Sequence, residues 1–132
     1  LTVGALTDAT VIGAQSAAAP AMYRAWANDH LEPHGRMETF AEGIATRVPF
    51  ALTTRLLRDR LDDFQLVSED ALKQGVGDLY RGERIPMEGA CAASLAAMRQ
   101  RGDELSGATV VFPISGRNID LEKLETLVSK TA

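Results

Sequence analysis

Apolar positions along the chain fall into short runs and helical stripes that alternate. Val11-Ile12-Gly13-Ala14 is a short run that reads as a buried strand. Pro20 then precedes Ala21-Met22-Tyr23-Arg24-Ala25-Trp26-Ala27, a helix with proline near its first turn, and a polar break follows from Asn28 to Gly35. Phe50, Leu52, Leu56, Leu57 and Leu61 form an approximate helical stripe, with Arg55, Arg58 and Arg60 mostly elsewhere, so the spacing predicts an amphipathic helix over 50–61. Phe64-Gln65-Leu66-Val67 is a candidate strand. Ser68 follows with Glu69 and Asp70, a hydroxyl cap with acids in the first turn, and this predicts a helix to about Tyr80. Met87 to Arg101 is helical and rich in small residues, suited to close packing on a sheet, and Gly102 ends it. Thr109-Val110-Val111-Phe112-Pro113-Ile114 gives the clearest strand signal, apolar almost throughout, as a strand covered on both faces should be. Pro113 cannot donate to a ladder and belongs at that strand's end or edge. The turn Ser115-Gly116-Arg117-Asn118 leads to a last helix from about Asp120 to Val128.

This alternation predicts an α/β fold: an open, mostly parallel sheet with helices on both faces. Three strands are few for an independent domain of that type, so the remainder of the sheet is expected in sequence beyond this chain. A length of 132 residues suits one domain or part of a larger one. With 45% hydrophobic and 24% charged residues the chain is too apolar for disorder. Its net charge of −4 and pI of about 5.1 argue against nucleic acid and anionic lipid as partners. The single cysteine, Cys91, excludes an internal disulfide and fits a reducing, cytoplasmic setting. No apolar run approaches the roughly 20 residues that span a bilayer, so no membrane association is expected. Leu1 to Pro20 lacks the basic start of a secretory leader, and the absence of an initiating Met suggests that translation began upstream.

Candidate chemistry concentrates at a few points. Ligands of open α/β sheets bind at the carboxyl ends of strands, which singles out the turn after Ile114. Ser115 offers a hydroxyl and Gly116 close backbone approach; the same turn also reads as a plain polar lead-in to the last helix. Glu88 is either a helix-start carboxylate favoured by the dipole or a carboxylate facing a site at the same sheet edge. Gly43, in Glu42-Gly43-Ile44, marks a tight bend or close approach to a ligand, or is a simple loop glycine. His30 and His34 have helical metal spacing, but Pro33 and Gly35 make that stretch a loop. Cys91 reads as a buried small hydrophobe rather than a nucleophile. Gly75-Val76-Gly77 is no phosphate fingerprint, since no strand leads into it and the third glycine is misplaced.

Five strings taken together extend this reading. Val11-Ile12-Gly13-Ala14-Gln15 with Ala19-Pro20-Ala21-Met22-Tyr23-Arg24-Ala25-Trp26, then Thr39-Phe40-Ala41-Glu42-Gly43-Ile44-Ala45, Asp63-Phe64-Gln65-Leu66-Val67-Ser68-Glu69, Met87-Glu88-Gly89-Ala90 and Ser115-Gly116-Arg117-Asn118-Ile119-Asp120 occur in that order. They resemble the C-terminal part of the pyridoxal-phosphate-dependent serine/threonine dehydratases (threonine ammonia-lyases), whose closing signature is usually Ser-Gly-Gly-Asn. The resemblance implies a fold type II pyridoxal-phosphate architecture, with residues 1–132 forming the C-terminal portion of its larger cofactor-binding domain. It implies that Ser115 bonds the cofactor's pyridine nitrogen, that Gly116 and Gly43 lie near the ring, and that Glu88 sets a carboxylate beside cofactor or substrate amine. The reaction implied is β-elimination from L-threonine or L-serine to a 2-oxo acid and ammonia.

Departures from the family qualify that picture. Its Schiff-base lysine has no counterpart: Lys73, Lys123 and Lys130 lie on polar helix faces or near the chain end, so no residue here is assigned a catalytic role. The glycine-rich phosphate loop is also missing; both are expected upstream of Leu1, in an N-terminal half that would be this chain's partner. Some relatives hold a divalent cation with acids just after the first strand; Gln15, Ala19 and Ala21 stand there, so no metal site is expected. Arg117 replaces the usual glycine. The isolated chain is therefore expected to be inactive and, with its apolar surface uncovered, to self-associate or be poorly stable, while the full-length protein would be a homo-oligomer acting on a small amino acid. An amino-acid racemase of the same fold, or a non-catalytic binding module derived from it, are the other readings these motifs allow.

Overall fold

The computed structural model describes residues 2–130. Its helices are α1 (Thr2–Leu6), α2 (Ala21–Asn28), α3 (Ala51–Arg60), α4 (Glu69–Glu83), α5 (Ala92–Arg101) and α6 (Leu121–Lys130). Two strands, β1 (Ile12–Ser16) and β2 (Asp63–Val67), pair in parallel with Gly13 opposite Phe64 and Ser16 opposite Val67. Successive strand residues face opposite sides. Phe64 points to one face, where its ring meets Tyr23 and Trp26 of α2 at 5.9 and 5.8 Å between centroids, edge-on. Gly13 leaves room for that ring: a Cβ there would lie 2.9 Å from Phe64 Cδ2. Val67 points to the other face, into a core with Leu72 and Val76 of α4, Ala92, Ala93, Ala96 and Ala97 of α5, and Leu124 and Leu127 of α6. The parallel sheet with helices on both faces agrees with the fold class expected from the sequence.

Local signals act as the chain predicts. Ser68 Oγ accepts from the Ala71 amide at 3.1 Å and starts α4. This helix runs one turn beyond Tyr80 and closes on Arg84 in the left-handed conformation, φ 57°. The Gly75-Val76-Gly77 stretch lies within α4 and is buried; a Cβ on Gly75 would meet the Ala92 Cβ at 3.0 Å, so the glycine brings α4 and α5 together. Asp78 of α4 pairs with Arg81 and, across the interface, with Arg99 of α5. Gly102, φ 51°, ends α5 as expected, and Asp120 caps α6 by accepting from the Lys123 amide at 3.1 Å. Among the described residues no helix is long and apolar enough to cross a membrane.

Four expectations need correction. Thr109–Ile114 has no regular secondary structure and is not a strand. A strand requires a neighbour for its N–H and C=O groups, and among the described residues none runs beside it. Val111 is 87% exposed, and only Phe112 packs, half-buried, against the cluster of Leu79, Met87, Cys91 and Leu95. On α3 most of the apolar stripe faces outward: Phe50, Leu52 and Leu56 are exposed and Leu57 and Leu61 only half-buried, whereas Thr54 is buried. Periodicity establishes that a helix has an apolar face but not that anything covers it. The first strand is shifted to Ile12–Ser16, and the helix expected from Met87 opens with a 3₁₀ turn at Gly89–Cys91, α5 proper starting at Ala92. Helix α1 carried no recognisable sequence signal.

Candidate functional site

The carboxyl ends of β1 and β2 carry the loop that contains Gly43. At the end of β1, buried Gln15 receives the Tyr23 amide on Oε1 at 3.0 Å and donates from Nε2 to the Ile44 carbonyl at 3.4 Å. Next to it, Ser16 is fully buried and donates to Glu69 Oε1 at 2.5 Å. The other oxygen of Glu69 accepts from the Phe40 amide at 2.9 Å. Thus β1, the first turn of α4 and the 39–44 segment are joined through one carboxylate. Burial pushes the Glu69 carboxyl up, but the Ser16 hydroxyl, the Phe40 amide, the Thr39 hydroxyl and the Lys73 charge outweigh burial and hold it below its ordinary range.

Phe40 extends the connection. Its ring lies against Gly89, where a Cβ would fall 2.8 Å from the ring carbons, and Lys123 Nζ stands 5.4 Å from the ring centroid. Gly89 follows Glu88, whose backbone is extended as it enters the 3₁₀ turn. The half-buried Glu88 carboxylate lies between two glycines from distant parts of the chain. A Cβ on Gly43 would sit 3.3 Å from Glu88 Oε1, and one on Gly116 would collide with the carboxylate. The Glu88 amide donates to the Gly116 carbonyl at 3.3 Å, and buried Cys91 adds two sulfur contacts to the same residue.

The structure therefore brings Gly43, Glu88 and Gly116 into one place. Ser115 adjoins them in sequence; its side chain is exposed and makes no hydrogen bond within the described residues. Arg117 is also exposed. Sequence reasoning missed two participants. Glu69 carries the signal of an ordinary helix-start acid, which it also is, so its second role was hidden. Cys91 is buried as expected, but its engagement of Gly116 depends on a contact across 25 residues. His34 is not placed as a ligand pair with His30: its Nδ1 lies 3.0 Å from an Arg24 guanidinium nitrogen.

Comparison with known proteins gives the family and the fold. The family model described as pyridoxal-phosphate dependent enzyme matches residues 4–116. The L-threonine ammonia-lyase of Geobacter sulfurreducens is 32% identical over 121 residues, covering 91% of this chain and 30% of that protein. The chain thus spans under a third of the length of this curated relative. Among solved structures, a T.th. threonine deaminase is 27% identical with a TM-score of 0.76, over 90% of this chain and 44% of that one. The serine racemase from Dictyostelium discoideum is 29% identical with a TM-score of 0.72, over 85% of this chain and 36% of that one. The α/β arrangement is that of part of a fold type II pyridoxal-phosphate enzyme. Residues 4–116, which include every site glycine and Glu88, place the chain in the family of pyridoxal-phosphate-dependent enzymes.

Proposed function

We propose that residues 1–132 form the C-terminal portion of the larger cofactor-binding domain of a lyase that deaminates L-threonine or L-serine to a 2-oxo acid and ammonia. One observation carries this reading: Glu88, Gly43 and Gly116 converge beside Ser115 at the carboxyl ends of the strands, where open α/β sheets bind ligands. The chain's coverage of its relatives fits a missing N-terminal half, with the catalytic lysine and the phosphate loop upstream of Leu1.

The residues present fit one side of a pyridoxal phosphate site. Two glycines leave the backbone bare next to a carboxylate, and an unengaged hydroxyl precedes one of them. When bound, the cofactor supplies an electron sink for the charge left at the substrate Cα. Ser115 would hold the ring nitrogen through a neutral hydroxyl, which does not fix a proton there as a carboxylate would. That keeps the sink mild and favours loss of the β-hydroxyl. Gly116 and Gly43 would admit the ring edge close to backbone. Glu88 Oε1 and Oε2 would accept hydrogen bonds from the substrate ammonium or a cofactor hydroxyl. In the net reaction the Cα–H and Cβ–O bonds break, one water is lost and one regained, and ammonia leaves. The setting of this chemistry is cytoplasmic and the full-length enzyme a homo-oligomer.

Release of 2-oxo acid and ammonia from L-threonine and L-serine, with added pyridoxal phosphate, tests the reading. The full-length protein should turn over and the 132-residue chain should not. Turnover by the chain alone would require one of its own lysines to act and would overturn the assignment. A serine racemase is the second reading, favoured by the likeness to the Dictyostelium enzyme; D-serine formation without 2-oxo acid would select it. A full-length protein that binds no pyridoxal phosphate would be a non-catalytic module.

A further inference from the structure

Glu69 stands outside the proposed site yet joins β1 and the start of α4 to the 39–44 segment that carries Gly43. Its two oxygens are divided between Ser16 Oγ at 2.5 Å and the Phe40 amide at 2.9 Å. Ser16 is in turn fixed, accepting from the Ala18 amide at 3.0 Å, and is fully buried. The Phe40 peptide leads into Ala41, also fully buried, whose carbonyl accepts from the Ile44 amide at 3.1 Å and so closes the turn containing Gly43. The Phe40 ring meanwhile rests on Gly89, beside Glu88. A displacement of the Phe40 peptide thus moves Gly43 on one side and loosens Glu88 on the other. Loops of this kind are held by few interactions, so a charge-assisted bond to one amide has a large share in their order.

We infer that Glu69 is a positioning residue of the cofactor site, holding Phe40 so that Gly43 and Glu88 keep their separation. The inference rests on the pyridoxal phosphate reading for its consequence but on this geometry for its existence, and the two can fail separately.

The test uses three variants of the full-length protein: Glu69→Ala, Glu69→Gln and Ser16→Ala. Alanine removes both acceptors. Glutamine keeps a carbonyl oxygen for the Phe40 amide and turns an NH₂ to Ser16 Oγ. Ser16→Ala leaves the Phe40 bond in place. Hydrogen exchange followed by mass spectrometry should show 38–45 and 87–91 exchanging at least tenfold faster in Glu69→Ala, with 63–67 unchanged. Pyridoxal phosphate, titrated by its absorbance, should bind about tenfold more weakly to that variant, roughly 1.4 kcal/mol. Ser16→Ala should stay within about threefold of the parent in each measurement, and Glu69→Gln, which keeps an acceptor for the Phe40 amide but not the charge, should fall between Ser16→Ala and Glu69→Ala. Exchange unchanged at 38–45, or raised equally across the whole molecule, would overturn the inference, as would an unaltered cofactor affinity in Glu69→Ala. A parent protein that does not bind the cofactor would sink the proposed function while the exchange map still decides whether Glu69 holds the loop.

Discussion

Cys91 Sγ lies 3.1 Å from the Gly116 amide nitrogen and 3.4 Å from its carbonyl oxygen, so one buried thiol engages both polar groups of a single residue. Together with the Glu88 amide it ties the 115–118 segment to the start of α5. Sulfur is a weak partner, but replacing it leaves a partly buried amide with nothing to donate to. Cys91→Ala should lower stability by about 1–2 kcal/mol, from lost bonds and a small cavity. Cys91→Ser should recover part of this, since its hydroxyl can also accept and donate. Urea unfolding of both variants checks this; an unaffected alanine variant would mean that the sulfur contacts contribute nothing.

Glu88 and Gly116 should behave as one unit. A methyl group on Gly116 would occupy the place of the Glu88 carboxylate, which can swing away because it is the end of a flexible side chain. Gly116→Ala should therefore cost less than about 1 kcal/mol in stability. In the full-length protein it should weaken pyridoxal phosphate binding about as much as Glu88→Ala does, and the double variant should be no worse than either single one. Additive losses would show that the two positions act separately.

Two glycines in the same helix should respond in opposite directions. Gly75 faces Ala92 across the α4–α5 contact, so Gly75→Val should destabilise by about 1–3 kcal/mol through overpacking. Nothing lies within 4 Å of a Cβ on Gly82, and Gly82→Ala should stabilise by about 0.5–1 kcal/mol through helix propensity. Thermal unfolding of the pair compares them directly.

Acid should weaken the fold through Glu69. Its carboxyl titrates below the ordinary value of 4.5 in the folded protein, so its stabilising contribution is complete above that value. As pH falls through 4.5 and then through the lower folded value, the contribution disappears. Urea midpoints measured from about pH 7 to about pH 3 should fall on the acid side, and Glu69→Gln should flatten that limb. Parallel acid limbs for parent and variant would remove Glu69 from the explanation.

The isolated 132-residue chain should self-associate. Val111, Phe50, Leu52 and Leu121 are between 61% and 87% exposed, large apolar side chains that a second copy can cover. Sedimentation velocity should show oligomers whose proportion rises with concentration. A clean monomer with a sharp cooperative transition would count against the chain's being part of a larger domain.

Elements specified by neighbouring residues were legible without coordinates. Pro20 before α2, the Ser68 cap of α4, Gly102 after α5 and the apolar run of β2 each work over a few positions, where backbone sterics and local hydrogen bonds decide the outcome. The motif residues Gly43, Glu88 and Gly116 were legible as well, though only as separate points along the chain. Their convergence was not, because it depends on contacts between segments as far apart as Gly43 and Gly116.

The amino-acid sequence alone determined that this chain alternates strand and helix, carries the family's motifs in order and lacks a lysine matching that of the dehydratases. Tertiary structure decided which apolar stretches are covered. Thr109–Ile114 has the composition of a central strand, yet among the described residues it has no neighbour to pair with. The stripe on α3 has the spacing of a core face, yet three of its five residues, Phe50, Leu52 and Leu56, look outward. Composition records a segment's preference for burial. Burial itself requires a complementary surface, and only the folded arrangement shows where such a surface exists. The same holds for Glu69 and Cys91, an acid at a helix start and a lone thiol in sequence, whose partners Phe40 and Gly116 lie 29 and 25 residues away and meet them only once the chain has folded.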